Sequence, residues 1–347
     1  MKCNRIVTNG KRRFFPLRLV FALILIFSIS PLFAQRKITV KMASLVPRDT
    51  PWGKYLDQLA KDWGDITKGN VEVKVFHNGT AGNEDVVVQK LRANQLQAAV
   101  LSSFGLAAIS PEIMTISCPF LIRNNEELDL VLREITKELE DRINTKGFFT
   151  LAWAHVGWVK FFSKAPIFVP ADLKRQKLAT NESEEKLNDA FKSMGFQMIP
   201  VQRSTILTSL SSGMVDAVFQ SPAAVGSLQI FGVAKHMASI NIAPFMGGIV
   251  LNKATWDKIP PEYKPRLIES ARKNQAALDQ EVRQLEENLI SNMGKYGLTM
   301  NRLTPAQEQL WFDEIGRAMP GLIGTAFDRG IYGRIETILR NHRNGHN

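Results

Sequence analysis

The sequence predicts a two-lobed α/β protein, and an internal similarity is the first reason. Residues 91–102 and 210–221 both read as a helix, a tight stop at Asn94 or Gly213, and a short apolar strand. Asn and Gly best tolerate the left-handed backbone that ends a helix. Small polar side chains follow each strand, where ligands bind in open α/β sheets. Two such units predict two lobes around a cleft, and the alternative is chance similarity between two ordinary helix–strand connections.

Alternating apolar residues and helical stripes predict the elements of the first half of the chain. The predicted strands lie at 38–43 and 71–76, and the predicted helices lie at 52–64, 83–92 and 127–144. A run of β-branched and aromatic residues, 148–162, then reads as one or two strands. This order of elements is typical of an α/β lobe.

The second half of the chain repeats this alternation and ends in helices. The predicted strands lie at 177–180, 215–219 and 248–251, and the predicted shorter helices at 182–194, 204–212 and 223–232. A long helix is predicted at 262–296, and at about 1.5 Å per residue it spans about 50 Å. Because that exceeds one lobe, we expect it to cross both. Thr304 begins a further helix with a capping pattern, and residues 341–347 are predicted to be a loose tail.

The N-terminal segment, residues 1–34, has the pattern of a secretory signal. A basic stretch precedes an apolar run from Leu19 to Phe33, and the small residue Ala34 follows. The run is shorter than the roughly 20 apolar residues of a membrane span. We predict cleavage after Ala34 and export of the rest of the chain, with an uncleaved N-terminal anchor as the alternative.

Composition argues against several classes of function. The chain carries 44 basic and 33 acidic residues, and much of this excess lies in the signal segment. The modest surplus that remains forms no basic stripe, so we expect no nucleic-acid partner. Cys118 would be the only thiol after cleavage, which excludes an internal disulfide and a paired-cysteine metal site.

Motifs of common enzymes are absent from the sequence. It contains no G-x-S-x-G elbow, no H-E-x-x-H, no G-x-G-x-x-G and no phosphate-binding loop. His155 has no second histidine or acid at ligand spacing, so we predict no metal and no cofactor. We therefore predict that the protein is not an enzyme, although a catalytic set assembled in space would escape a motif search.

Six segments in order resemble one known family. Val71–Gly82 resembles the signature of DctP-type solute receptors, which serve tripartite ATP-independent periplasmic (TRAP) transporters. The other similar segments are 91–102, 119–121, 170–178, 207–216 and 259–262. The resemblance covers nearly all of residues 36–340. It implies a periplasmic-binding-protein-like fold, with two α/β lobes joined by hinge strands and by a long C-terminal helix that crosses both. It also implies a receptor that delivers a small molecule to the membrane subunits of a TRAP transporter.

Two positions depart from the family's pattern. The family's arginine that clamps a ligand carboxylate is replaced by Ala179, and its usual asparagine before Pro222 is replaced by Ser221. Guanidinium is the group that best pairs with carboxylate through two hydrogen bonds. We therefore expect an organic acid held differently or a relatively apolar molecule. The segment 213–222 is similar to a sub-branch that has a tetratricopeptide-repeat partner in the periplasm.

The candidate ligand-binding residues form three groups. Small polar residues at the strand ends could orient a ligand or could simply cap helices: Ser102, Ser103, Gln220 and Ser221. Thr180 and Asn181 take the place of the arginine segment and could open a helix whose N–H groups attract an anion, or form a plain cap. Aromatic residues could line an apolar pocket or belong to the core: Trp52, Trp153, His155, Trp158 and Phe219.

The resulting prediction is a receptor that closes around its ligand. Lobe 1 is assigned to residues 36–155 and about 244–275, and lobe 2 to 156–243 and about 276–340. A ligand that contacts both lobes favours the closed state through its differential affinity. The alternatives are an envelope interaction protein without a ligand, and an exported hydrolase.

Overall fold

The structure is a computed structural model that describes Met1 and residues 37–180, 185–273 and 275–345. The predicted signal segment and Asn181 fall outside the described residues. None of the described helices is long and apolar enough to cross a membrane.

Five strands form the first half of a continuous sheet. They are β1 (Ile38–Ser44), β2 (Val71–Phe76), β3 (Ala98–Ser102), β4 (Phe148–Ser163) and β9 (Ala243–Asn252), in the order β2-β1-β3-β9-β4. The first three are parallel, so their carboxyl ends lie at the same edge, and β9 is antiparallel to β3 and β4. This half of the sheet contains most of the strand residues that the sequence assigned to lobe 1.

The other strands form the centre of lobe 2. They are β5 (Lys177–Thr180), β6 (Gln197–Pro200), β7 (Ala217–Gln220), β8 (His236–Ala238) and β10 (Thr299–Asn301). The sheet continues in the order β4-β7-β5-β6, with β5 parallel to both β6 and β7. β8 pairs with the end of β4, and β10 pairs with β8.

Helices cover both halves of the sheet. Those before residue 150 are α1 (Pro51–Ile66), α2 (Glu84–Arg92), α3 (Ser103–Ile109) and α4 (Asn125–Thr145). Those between β4 and β9 are α5 (Pro170–Lys174), α6 (Glu185–Ser193), α7 (Ile206–Ser211) and α8 (Pro222–Ser227). The C-terminal part contains α9 (Lys253–Lys258), α10 (Lys264–Lys273), α11 (Gln275–Lys295), α12 (Pro305–Leu322) and α13 (Arg329–Gly345). Short 3₁₀ helices lie at Pro111–Ser117, Arg203–Thr205 and Ile230–Gly232.

The predicted fold class, two α/β lobes, is confirmed. The internal similarity corresponds to α2–β3 in lobe 1 and α7–β7 in lobe 2, and Asn94 and Gly213 both have positive φ as predicted. Two predicted caps are present as well. The Asn83 side chain accepts a hydrogen bond from the Val86 N–H, and Thr304 forms a capping box with Gln307.

β4 is the strand that joins the lobes. It is one strand of 16 residues, with register shifts at Thr150/Ala152 and at His155/Gly157. The predicted long helix is described as α10 and α11, with Asn274 outside the described residues. α11 packs on β4, on α1 and on α8, which are elements assigned to different predicted lobes.

The C-terminal region differs from the expected loose tail. α13 continues to Gly345 and packs on α4. Arg343 makes a two-pronged ion pair with the buried Glu127, at 2.8 Å for both contacts. The sequence pattern there is polar because the helix lies on the surface, and this ion pair anchors its last turns. The predicted lobe boundaries stay a prediction.

Candidate functional site

Ser102 lies at the carboxyl end of β3 and has several hydrogen-bond partners. Its backbone N–H and its hydroxyl donate to the two carboxylate oxygens of Glu84, at 2.5 and 2.6 Å. Its Oγ also accepts from the Phe104 N–H at 3.3 Å and so caps α3. Ser102 is half-buried, and its hydroxyl proton is already used by Glu84.

Ser103 is buried and ties α3 to β9. Its Oγ donates to the Met246 carbonyl at 3.0 Å and accepts from the Met246 N–H at 3.2 Å. Ser117 Oγ lies 3.3 Å away. These contacts make Ser103 a structural clamp between two elements that border the carboxyl edge of the lobe 1 sheet.

The equivalent positions of lobe 2 are simpler. Ser221 Oγ caps α8 by accepting from the Ala224 N–H at 3.3 Å. Gln220 and Phe219 are half-buried at the end of β7, where they pair with Lys160 and Phe161 of β4. Thr180 ends β5, and its buried hydroxyl donates to the Asn188 side chain.

The tryptophans are packed against helices. The Trp158 indole donates to Asn125 Oδ1 at 2.9 Å, which fixes it to the first turn of α4. Trp153 lies near Glu140, further along α4, where burial raises the pKa of that carboxyl and Trp153 opposes the rise. Both rings lie in the core cluster of buried side chains. Trp52 packs edge-on against Tyr55 at 5.5 Å, and its buried indole nitrogen has no hydrogen-bond partner among the described residues.

His155 is buried in β4 beside Trp158, with 5.6 Å between the ring centroids. Burial lowers its pKa to about 4, and the positive charge of Arg283 acts in the same direction. The imidazole is therefore neutral near pH 7. Within the described ranges, no cluster of three or more His, Cys, Asp or Glu side chains could hold a metal ion.

Exposed apolar side chains at the carboxyl edge of lobe 1 were not among the predicted site residues. Leu45 directly follows β1, Phe76 ends β2, and Phe104 lies in the first turn of α3; they are 38, 39 and 45% exposed. Phe104 also lies 6.4 Å from the half-buried ring of Phe245. The rule that selected Ser102, position just beyond a strand, would have found them if applied to apolar residues as well.

Lys160 was also missed, and it is a buried cation beside the predicted lobe 2 site. It pairs in register with Gln220, and its ammonium donates to the Ser239 carbonyl at 3.0 Å and to Asn241 Oδ1 at 2.7 Å. Burial lowers its pKa to about 8. Ala179, by contrast, is buried within β5 between Ile199 and Val218. No sequence pattern around Lys160 distinguishes it from a surface lysine.

A shallow surface pocket of about 390 Å³ lies between the end of β6 and α7. Its lining includes Pro200, Val201, Thr205, Thr208 and Met214. None of the predicted site residues lines it. The assignment of the predicted residues to a ligand site therefore stays a prediction.

Comparison with known proteins gives concordant results. The family model described as "Bacterial extracellular solute-binding protein, family 7" (DctP) matches residues 42–320. The 2,3-diketo-L-gulonate-binding periplasmic protein YiaO of Escherichia coli is 28% identical over 263 residues, which cover 74% of this chain and 79% of that protein.

Two crystal structures of TRAP periplasmic solute-binding proteins share the fold. The one from Sulfurospirillum deleyianum, with bound succinate, has a TM-score of 0.74 and 24% identity and covers 86% of this chain and 98% of its own. The one from Ochrobactrum anthropi, with its C-terminus in the ligand-binding pocket, has a TM-score of 0.81 and 20% identity. It covers 90% of this chain and 98% of its own.

Proposed function

The chain belongs to bacterial extracellular solute-binding protein family 7, and from that premise we propose that it captures an organic acid with a largely apolar body and delivers it to the membrane subunits of a TRAP-type transporter. The family consists of solute-binding receptors, and the two lobes supply the surfaces between which such a ligand would be held. A ligand that contacts both lobes stabilises the closed arrangement.

The proposed ligand chemistry rests on the residues at the strand ends of the two lobes. YiaO is named for a sugar acid and the Sulfurospirillum protein holds succinate, and both ligands are strongly polar. Here Ala179 stands where the family's carboxylate-binding arginine is expected, while Leu45, Phe76 and Phe104 expose apolar surface at the lobe 1 edge. Apolar side chains gain free energy only when they are covered by apolar atoms. A branched or aromatic carboxylate fits this edge better than a dicarboxylate or a sugar acid.

Thermal unfolding of the purified protein tests the ligand class. The probes are 4-methyl-2-oxopentanoate and phenylpyruvate on one side, and succinate, L-malate and D-galacturonate on the other. A ligand at 100 times its Kd raises the free energy of unfolding by about 2.7 kcal/mol, which raises Tm by several degrees. Stabilisation by the apolar acids supports the proposal. Stabilisation by succinate or galacturonate alone would overturn it.

Export and partners are further parts of the proposal. The relatives named above are periplasmic proteins, which supports a periplasmic location after removal of residues 1–34. N-terminal sequencing of protein recovered from the periplasm should begin at Gln35, and an intact N-terminus would favour the membrane-anchored alternative. A tetratricopeptide-repeat partner stays a proposal that rests on the resemblance of residues 213–222. Retention of the exported protein by such a repeat protein, measured with both purified, is its test.

A further inference from the structure

The strand that joins the lobes has an open edge. Between Phe148 and Val159, β4 pairs with β9 on one side, and among the described residues no strand pairs with its other side. Unpaired strand edges carry backbone groups that need hydrogen-bond partners. α11 packs along β4, and Glu286 of this helix reaches the strand.

Glu286 reaches the strand at its second bulge. Its Oε2 accepts a hydrogen bond from the Trp158 backbone N–H at 3.2 Å. The preceding residue, Gly157, has φ of +125°, and a Cβ there would lie 2.4 Å from Glu286 Oε2. Glycine is needed at 157 both for its backbone conformation and for this close approach. Burial raises the pKa of Glu286, and the charge of Lys160 opposes that rise.

Asp279 lies two turns earlier on α11, beside the His155 backbone. Burial raises the pKa of this carboxyl to about 6, and the nearby His155 backbone opposes that rise. Seven residues separate the two carboxylates on α11, which is two turns or about 10 Å along one helix face. His155 and Trp158 are three residues apart on β4, which is also about 10 Å in a strand. The two carboxylates therefore lie along the same stretch of β4, and Glu286 is the one that accepts from a strand N–H.

We propose that Glu286 is a positioning residue for lobe closure: its carboxylate clasps the open edge of β4 at its bulge and so fixes the hinge strand to α11. Because α11 also packs on α1 in lobe 1 and on α8 in lobe 2, the clasp sets the angle between the lobes. This inference rests on the proposed function, since lobe closure matters only if a ligand is held between the lobes. A protein whose competent arrangement is less populated binds with a proportionally weaker apparent affinity.

The first test measures the hinge without any ligand. The exposed Lys61 on α1 and Lys192 on α6 are replaced by cysteine and labelled with nitroxides. The full-length protein also carries Cys3→Ser, and Cys118 is buried, so the two introduced thiols are the ones that react. Glu286→Ala should broaden the interlobe distance distribution and speed amide exchange at Trp158 by about tenfold or more, the usual effect of losing a hydrogen bond to a charged group. Glu286→Gln keeps an acceptor oxygen, so its distance distribution and its Trp158 exchange rate should be close to those of the wild type. Glu287→Ala, on the neighbouring exposed carboxylate, is the matched control and should change neither.

A double-mutant cycle separates the clasp from general stability. Gly157→Ala alone should destabilise strongly, because its Cβ displaces the Glu286 carboxylate and its φ is unfavourable. In a Glu286→Ala background the same substitution should cost clearly less, because only the φ strain remains. Equal costs in the two backgrounds would show that Glu286 does not press on the bulge and would overturn the proposal.

Affinity for 4-methyl-2-oxopentanoate, measured by calorimetry, completes the test. Glu286→Ala should raise the apparent Kd by about tenfold, with Glu286→Gln much closer to wild type. Unchanged distances and exchange in Glu286→Ala would refute the clasp whatever the ligand. Altered distances with no binding of any probe would instead count against the proposed ligand class and leave the clasp standing.

Discussion

The carboxyl edges of the two lobes differ in chemistry although they derive from similar helix–strand units. In lobe 1, Leu45, Phe76 and Phe104 are exposed apolar side chains, and the hydrogen bonds of Ser102 are satisfied by Glu84. In lobe 2, the equivalent edge carries small or polar residues such as Gln220 and Ser221. Under the proposed function, lobe 1 would supply apolar contact to the ligand and lobe 2 would supply hydrogen bonds.

The largest expected effect comes from a charge placed on the apolar edge of lobe 1. Phe104→Asp removes apolar contact and sets an anion against the carboxylate ligand, which should weaken binding of 4-methyl-2-oxopentanoate by roughly a hundredfold, or about 3 kcal/mol. Calorimetry measures it. Met214→Asp, at an exposed residue in the loop before β7, is the control and should bind as wild type. An equal loss of affinity in both variants would contradict the proposal that the ligand binds at the apolar edge of lobe 1.

The two lobes also differ in the buried basic side chain that β4 contributes on each side of Gly157. His155 precedes this glycine and Lys160 follows it. The pKa of His155 is lowered to about 4 in the folded state, so the folded protein binds fewer protons than the unfolded chain between pH 4 and 6.5. Stability should therefore fall by about 2–3 kcal/mol as pH drops through that range. His155→Asn should flatten this part of the profile, measured by urea unfolding at each pH.

Lys160 should act in the alkaline range instead. Its pKa is lowered to about 8, so stability should rise as pH increases from 8 towards 10.5. Lys160→Met should remove that rise and leave the acid-side change in place. If His155→Asn abolished the alkaline change as well, the two bases would titrate as one unit and not as separate groups on either side of the bulge.

The smallest expected effect distinguishes the two equivalent serines. Ser102→Ala removes a helix cap and the hydroxyl donor to Glu84, and should cost about 2 kcal/mol of folding free energy. Ser221→Ala removes a cap alone and should cost about 1 kcal/mol. Urea denaturation measures both. A larger cost for Ser221→Ala would contradict the hydrogen bonds described at the lobe 1 edge.

The fold could be predicted from the sequence because its signals are local. Alternation in 71–76, the cap at Asn83, and the stops at Asn94 and Gly213 each report on a few consecutive residues, and together they define the two helix–strand units. The long strand β4 was recognised for the same reason, although the sequence left open whether it was one strand or two.

The site was harder to predict because its contacts join distant residues. Whether a strand-end serine faces a ligand or a protein partner depends on residues such as Glu84 and Met246, which no local pattern connects to it. The contact between Glu286 and the Trp158 amide spans 128 residues, and the hydrogen bond from Lys160 to Asn241 spans 81. Tertiary packing, rather than residue type, decides these roles.

Ligand-driven lobe closure is tested most directly by the interlobe distance between labels at positions 61 and 192 during titration with each organic acid. Saturation with 4-methyl-2-oxopentanoate or phenylpyruvate should shorten the mean distance and narrow its distribution, while succinate and D-galacturonate should leave both unchanged. A distance that responds to the polar acids and not to the apolar ones would contradict the proposed ligand class.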